Sequence, residues 1–368
     1  MKILYGVVGE GMGHATRSKV ILDELTRKHE VQVVASGRAY DFLKGKFPNV
    51  HQIWGYTIAY EDNAVNALKT AFQNLKGAVK GWPQNVKQYF ELAESFKPDC
   101  VISDFESFAY LFARNWMLPV ISIDNMQIIN RCEHAREIID GHERDFELAK
   151  GIVKVKMPGS LHYLVTTFFT PEIRKARTSL HPPILRKEIL EAKREIGEHL
   201  LVYQTSTSNT ELPNILKRSG LECRIYGQRR DIKEDVVDGN LRYRPFSEQG
   251  FIDDLRTSKA VIANGGFTLM GEAVYLHKPM LCIPVGKQFE QVLNARYLEK
   301  DGYGLYAQAL TDEKLQAFLK LVPAAAAKLA TYTQDGNKQI FQKLDEVLAL
   351  VAKGEGKPPA ALESEPLT

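Results

Sequence analysis

Short apolar, largely β-branched runs recur along the chain, and between them lie longer stretches in which apolar residues return every three or four positions. In the first half the runs at 3–8, 31–35, 50–54, 100–103 and 120–123 predict strands, and in the second half those at 200–204, 223–226, 241–243, 260–263 and 280–284 do. The runs are continuous rather than alternating, as in strands covered by helices on both faces, so the fold class expected is α/β with parallel sheets. Between the halves the pattern breaks at Pro158, Pro171, Pro182 and Pro183, followed by a charged helical stretch at 186–194, which puts the junction between about 171 and 197. The halves share a layout but not a sequence. Two doubly wound Rossmann-like domains are therefore expected, at 1–180 and 199–335 with a connector at 181–198, then an amphipathic helix at 336–352 and a disordered tail at 353–368.

A length of 368 residues accommodates two such domains, and 44% hydrophobic residues exclude a wholly disordered or fibrous chain. The four cysteines, Cys100, Cys132, Cys223 and Cys282, form no C-x-x-C pair, so reduced thiols in a cytoplasmic setting are expected, with no zinc or redox site. The opening MKILYGVVGEGMGH breaks into glycines too early for a secretory signal, and no window is long and apolar enough to span a bilayer. A balance of 48 basic to 45 acidic residues is too even to argue for nucleic acid as a partner.

In open α/β sheets ligands bind at the carboxyl ends of the strands, so the chemistry is sought in the strand-to-helix loops. The first reads GEGMGHATRS at 9–18, where Gly9, Gly11 and Gly13 permit a sharp turn before a helix amino terminus. It is half of a dinucleotide fingerprint. The third glycine would fall on His14, and Ser36 and Gly37 stand where a ribose-binding acid belongs, so no dinucleotide cofactor is expected. A neutral His14 at the helix start can take a proton from a hydroxyl. Asp104, ending the run VISD, either orients that imidazole or caps the helix beginning near Glu106; Glu10 on the same glycine loop is a second candidate base.

The segment ANGGFTLMGEAVYLHKPMLCIPVGKQFEQVLNA at 263–295 carries the strongest signal. Gly265 and Gly266 end a strand and open a helix, so their amides and Thr268 suit a phosphate. Glu272, one turn on, suits the two hydroxyls of a ribose, and Gln288, Glu290, Gln291 and Asn294 suit sugar hydroxyls.

GGFTLMGEA, KPMLCIP and QFEQVLNA together resemble the nucleotide-sugar donor site of inverting glycosyltransferases of the GT-B fold, especially the group of the peptidoglycan N-acetylglucosaminyltransferase. GEGMGHATR resembles that group's acceptor-side loop, and PDCVISDFE the aspartate-bearing strand of plant and macrolide glycosyltransferases. The resemblance implies two domains facing across a cleft, with the last helix returning to the first domain. It further implies that Gly265, Gly266 and Thr268 hold the donor diphosphate, Glu272 the ribose and Gln288, Glu290 and Gln291 the sugar, with His14 or Glu10 as base, Asp104 behind it, and Gly11, Gly13 and Glu106 on the acceptor side. The function implied is metal-independent transfer of a hexose or N-acetylhexosamine from a uridine diphosphate sugar to a hydroxyl, on a lipid-linked or cell-envelope glycan. Two departures stand out: Asn264 replaces the histidine many relatives carry, and YQTSTSN at 203–209 lacks the usual glycines, although Thr205 and Ser206 can bond phosphate. Retaining relatives carry two glutamates eight residues apart here; eight after Glu272 stands Met280. Nucleotide-sugar 2-epimerases and non-catalytic nucleotide-sugar binders share the fold and are the alternatives.

From 63 to 90 there is no acidic residue, while Lys69, Lys76, Lys80 and Lys87 accompany Phe72, Leu75, Val79 and Trp82 at helical spacing. Such a helix either contacts an anionic membrane or packs its apolar face on the sheet. Residues 54–82 and 125–142 are the expected acceptor loops.

Overall fold

The computed structural model describes residues 1–9, 11–55, 60–61, 64–65, 81, 83–204 and 211–356. Glu10, Thr205, Ser206, most of the basic segment (66–80 and Trp82) and the tail from 357 onward lie outside the described residues.

The strands are β1 (Lys2–Val7), β2 (Glu30–Ala35), β3 (Val50–Gln52), a small hairpin β4 (Tyr60–Glu61) and β5 (Ala64–Val65), β6 (Cys100–Asp104), β7 (Val120–Asp124), β8 (His162–Thr166) and β9 (Thr178–His181). The second set is β10 (Leu200–Tyr203), β11 (Cys223–Tyr226), β12 (Val236–Asp238), β13 (Leu241–Tyr243), β14 (Ala260–Ala263), β15 (Met280–Cys282) and β16 (Gly304–Tyr306). The first sheet runs β3-β2-β1-β6-β7-β8-β9, all parallel; the second runs β12-β13-β11-β10-β14-β15-β16, parallel except for β12. The chain reverses its winding between β1 and β6 and again between β10 and β14. At such switch points the loops on the two sides diverge and leave room for a ligand.

β8, β9, β12 and β16 extend the expected set of strands. β9 escapes the apolar pattern because it reads TSLH, and β12 and β16 because they have three residues each, so their partners define them; β8, HYLVT, is an apolar run of its own that the expected set omits. The charged stretch at 186–194 forms a helix only over Lys187–Leu190. All four cysteines are free and buried.

One core layer packs Ile3, Tyr5 and Val7 against Ile21, Leu22 and Leu25, and is closed by Ile340, Leu344, Val347, Leu348 and Val351 from the helix Lys338–Ala352. That last helix therefore returns to the first sheet, where each buried leucine contributes roughly 1.5–3 kcal/mol. The segment 125–142, one of the expected acceptor loops, packs in part against the second domain. Its apolar residues Ile128, Ile129 and Ile138 are buried in one core cluster with Phe289, Leu293, Ala295, Tyr297 and Leu298 of the helix Phe289–Lys300. Arg296 Nη1 donates to the carbonyls of Glu137, Ile138 and Asp140 at 3.2, 3.1 and 2.8 Å, and the Phe169 and Tyr297 rings stack with centroids 3.9 Å apart.

Candidate active site

β1 and β6 lie side by side with Val7 opposite Asp104, which brings the glycine loop and the VISD run to one edge of the sheet. After Asp104 the chain turns through Phe105 at φ 56°, and the turn is sealed by Ser103, whose hydroxyl accepts from the Glu106 amide and donates to the Glu106 carbonyl, both at 2.9 Å. Glu106 then caps the helix Ser107–Asn115, its carboxylate accepting from the amides of Phe108 and Ala109 at 2.9 and 2.7 Å. Capping, the role left open for Asp104, thus falls to Glu106, which is buried with its oxygens on amides the helix leaves unpaired.

Asp104 faces His14. Its Oδ1 lies 2.8 Å from His14 Nδ1 and 2.5 Å from Arg17 Nη2; its Oδ2 accepts from Arg17 Nε at 2.8 Å and from the Ser18 hydroxyl at 3.0 Å. Arg17, one helical turn after His14 on the same face, also places Nη2 2.6 Å from His14 Nδ1 and donates from Nη1 to Asn125 Oδ1 at 2.5 Å. Burial alone would raise the Asp104 pKa, but the Arg17 and His14 charges outweigh it and hold the carboxyl well below its usual range. His14 is held below its ordinary 6.5 first by burial and then by the Arg17 charge, with Lys156 adding to them and Asp104 opposing. Its side chain is 18% exposed, which leaves Nε2 as the ring nitrogen for an incoming hydroxyl.

The second domain meets this cluster directly. Gly266 caps the helix Phe267–Tyr275, and Thr268 in its first turn touches Gly13, where a Cβ would lie only 2.6 Å from Thr268 Oγ1. Gly11, by contrast, has φ +75° and open space around it. Gly265 sits at φ +92° with the Gln291 carbonyl 3.0 Å from where a Cβ would be, so only glycine fits this turn. Asn264 Oδ1 is buried and unpaired. Glu290 Oε1 accepts from Asn125 of the first domain and from Asn294, both at 2.8 Å, and Asn294 also donates to the Gly265 carbonyl at 3.3 Å. Burial pushes the Glu290 pKa up, opposed by Asn294, Arg17 and Asn125.

Gln291 spends its side chain within its own loop, accepting from the Val285 amide at 2.9 Å and donating to Gln288 Oε1. Glu272 is buried at 2% exposure with its oxygens held by Arg186 Nε and Nη2 at 2.8 and 2.9 Å, so a ribose there has to share or displace Arg186. Three participants escaped sequence reasoning. Arg17 was within reach, standing three residues after His14 in the same motif; Asn125 and Arg186 lie in stretches with no motif of their own.

The cluster therefore joins an imidazole with one free nitrogen, a buried carboxylate, and a glycine turn at a helix amino terminus of the kind that binds anions. Residues 1–323 match the family described as glycosyl transferase family 1. An uncharacterized glycosyltransferase of Methanosarcina mazei is 23% identical, the match covering 94% of this chain and 98% of that one. Among solved structures, the glycotransferase of kitacinnamycin superposes with TM-score 0.63 at 18% identity, covering 97% of this chain and 99% of that one. LpCGTa in complex with UDP superposes with TM-score 0.60 at 14% identity, covering 96% and 99%. The architecture is the GT-B fold, and the match over most of its length makes this chain a member of glycosyl transferase family 1.

Proposed function

We propose that the protein is an inverting, metal-independent glycosyltransferase that moves a hexose or N-acetylhexosamine from a uridine diphosphate sugar to a hydroxyl of a lipid-linked or cell-envelope glycan on the cytoplasmic side. The observation that carries this reading is the meeting of His14–Asp104 with the Gly265–Thr268 turn across the Gly13–Thr268 contact. His14 Nε2 takes the proton of the acceptor hydroxyl as that oxygen bonds to the anomeric carbon. The nucleoside diphosphate leaves from the opposite face with the electron pair of the broken C–O bond. Its charge is met by amides at the start of the helix Phe267–Tyr275, where the helix dipole favours an anion, so the reading assigns no metal. Asn264, with an unpaired Oδ1, and Glu290 are positioned to receive donor hydroxyls.

The resemblance to the peptidoglycan N-acetylglucosaminyltransferase group supports a uridine nucleotide; the neighbours solved with UDP (LpCGTa) and with thymidine diphosphate (SpnG) support a nucleoside diphosphate without choosing its base. A thermal-shift screen of nucleotide sugars tests the donor: stabilisation by a UDP-sugar above UDP-free controls is expected, and stabilisation by none contradicts the reading. Incubating the protein with the chosen donor and acceptor then tests the reaction, with an inverted anomer expected and a retained one refuting inversion. An epimer formed from donor alone would transfer the assignment to a 2-epimerase. If His14→Ala keeps turnover within about threefold while Glu10→Ala abolishes it, the base is Glu10, since losing a general base costs about 10²–10⁴. No helix among the described residues is long and apolar enough to cross a membrane. Contact with an anionic membrane through the basic segment around Lys69, Lys76 and Lys80 is part of the proposal, and no sedimentation with anionic vesicles at low salt would remove it.

A further inference from the structure

His14 Nδ1 has two neighbours that make opposite demands. Asp104 Oδ1, at 2.8 Å, is an ionised acceptor and requires a proton on Nδ1; Arg17 Nη2, at 2.6 Å, is a donor and requires a lone pair there. A single nitrogen cannot meet both. Asp104 does not depend on His14, because Arg17 Nε, Arg17 Nη2 and the Ser18 hydroxyl already fill its oxygens. Arg17 in turn is held from the other side: Nη1 donates to Asn125, whose amide donates to Glu290 on the second domain, and Glu290 accepts from Asn294, which reaches the Gly265 carbonyl. A continuous hydrogen-bonded chain thus runs from the imidazole to the glycine turn.

We propose that Arg17 is a positioning residue that selects the His14 tautomer, and that Asn125 and Glu290 tether it to the donor loop of the second domain. With Arg17 bonded to Nδ1, the ring proton sits on Nε2 and His14 cannot accept a proton from a hydroxyl. When Arg17 withdraws toward Asn125, Nδ1–H turns to Asp104 and Nε2 presents a lone pair. The device rests on the reading of His14 as the base, and it gives the base a means of responding to the donor site: a ligand that engages Glu290 alters the hold on Asn125 and hence on Arg17. The charged groups facing the ring are Arg17 from its own helix, Asp104 from β6 and Lys156 from the helix Glu143–Lys156.

The test needs neither donor nor acceptor. Nitrogen-15 shifts of the His14 ring, assigned by their loss in His14→Gln, report the tautomer directly in the nucleotide-free protein. In wild type the Nε2–H form is expected to dominate, and Arg17→Gln is expected to shift the tautomer ratio toward Nδ1–H by about tenfold or more. Asn125→Ala, which leaves the Arg17–Asp104 pair in place, is expected to move the same ratio by a smaller but measurable factor. Should Arg17→Gln fail to fold with Asp104 left unpaired, Arg17→Lys keeps a cation that cannot bridge both partners and is expected to give the same shift. A ratio unchanged within about twofold in the folded variants overturns the inference. Because transfer is not measured, that result would leave the transferase reading standing, and a failed donor screen would leave the tautomer result standing.

Discussion

Gly13 and Thr268 touch across the two domains: a Cβ on Gly13 would lie 2.6 Å from Thr268 Oγ1 and 3.3 Å from its Cβ. Gly13 stands in the first turn of the helix Met12–Leu25 and lacks the positive φ of Gly11, so Gly13→Ala brings no backbone strain of its own. What it does is push the two loops apart. Thermal unfolding of Gly13→Ala is expected near that of wild type, with sugar transfer reduced by about tenfold or more, as ångström-scale misplacement of reacting groups produces. Full activity would mean that the contact is incidental to the chemistry.

Gly265 offers the opposite case. At φ +92° with the Gln291 carbonyl 3.0 Å from a Cβ, Gly265→Ala is strained by conformation and by contact together. A loss of about 1–3 kcal/mol in denaturant unfolding is expected, accompanied by weaker nucleotide binding.

Arg186 and Glu272 form a bidentate pair with side chains 13% and 3% exposed, and Arg186 Nη1 also bonds Glu248 at 2.8 Å. Arg186→Ala leaves a carboxylate buried without its partner and is expected to cost about 3 kcal/mol or more in denaturant unfolding. Arg186→Ala combined with Glu272→Gln is expected to recover part of that loss, since the unpaired charge is gone. Equal stabilities of the single and double variants would show that the pair is not the source.

His162 and His181 share Ser179 between them, at 2.9 and 2.7 Å, and both are held at about 4, below their ordinary 6.5. Burial is the main cause for each; Lys343 comes next for His162, and the neighbouring His162 next for His181. Because the folded protein keeps both neutral while the unfolded chain takes up protons near 6.5, their contribution is present above pH 6.5 and is lost as pH falls toward 4. The guanidinium midpoint is expected to drop between pH 7 and pH 5, and His162→Gln with His181→Gln is expected to flatten that drop. A midpoint equally pH-dependent in the double variant would place the titration elsewhere.

Much of the fold was legible because buried parallel strands announce themselves as apolar runs: β1, β6, β10 and β14, which border the two switch points, are all such runs. β9 and β16 were not, since edge strands this short are defined by their neighbours. At the site, residue types and spacing singled out His14, Asp104 and Glu290, but not which groups each would meet. Whether Asp104 or Glu106 capped the next helix turned on the backbone at Phe105, and a positive φ at phenylalanine has no signature in sequence. The hold of Arg186 on Glu272 joins residues 86 positions apart, and only the packing of the connector on the second domain brings them together.

The proposed role of His14 is that of base toward an acceptor while the donor is held at the Gly265–Glu290 loops. Its most direct test is His14→Ala assayed for sugar transfer and, separately, for UDP binding by calorimetry. Transfer is expected to fall by about 10²–10⁴ with the UDP dissociation constant unchanged within about threefold. Undiminished transfer in His14→Ala, or wild-type protein that binds no UDP, would contradict it.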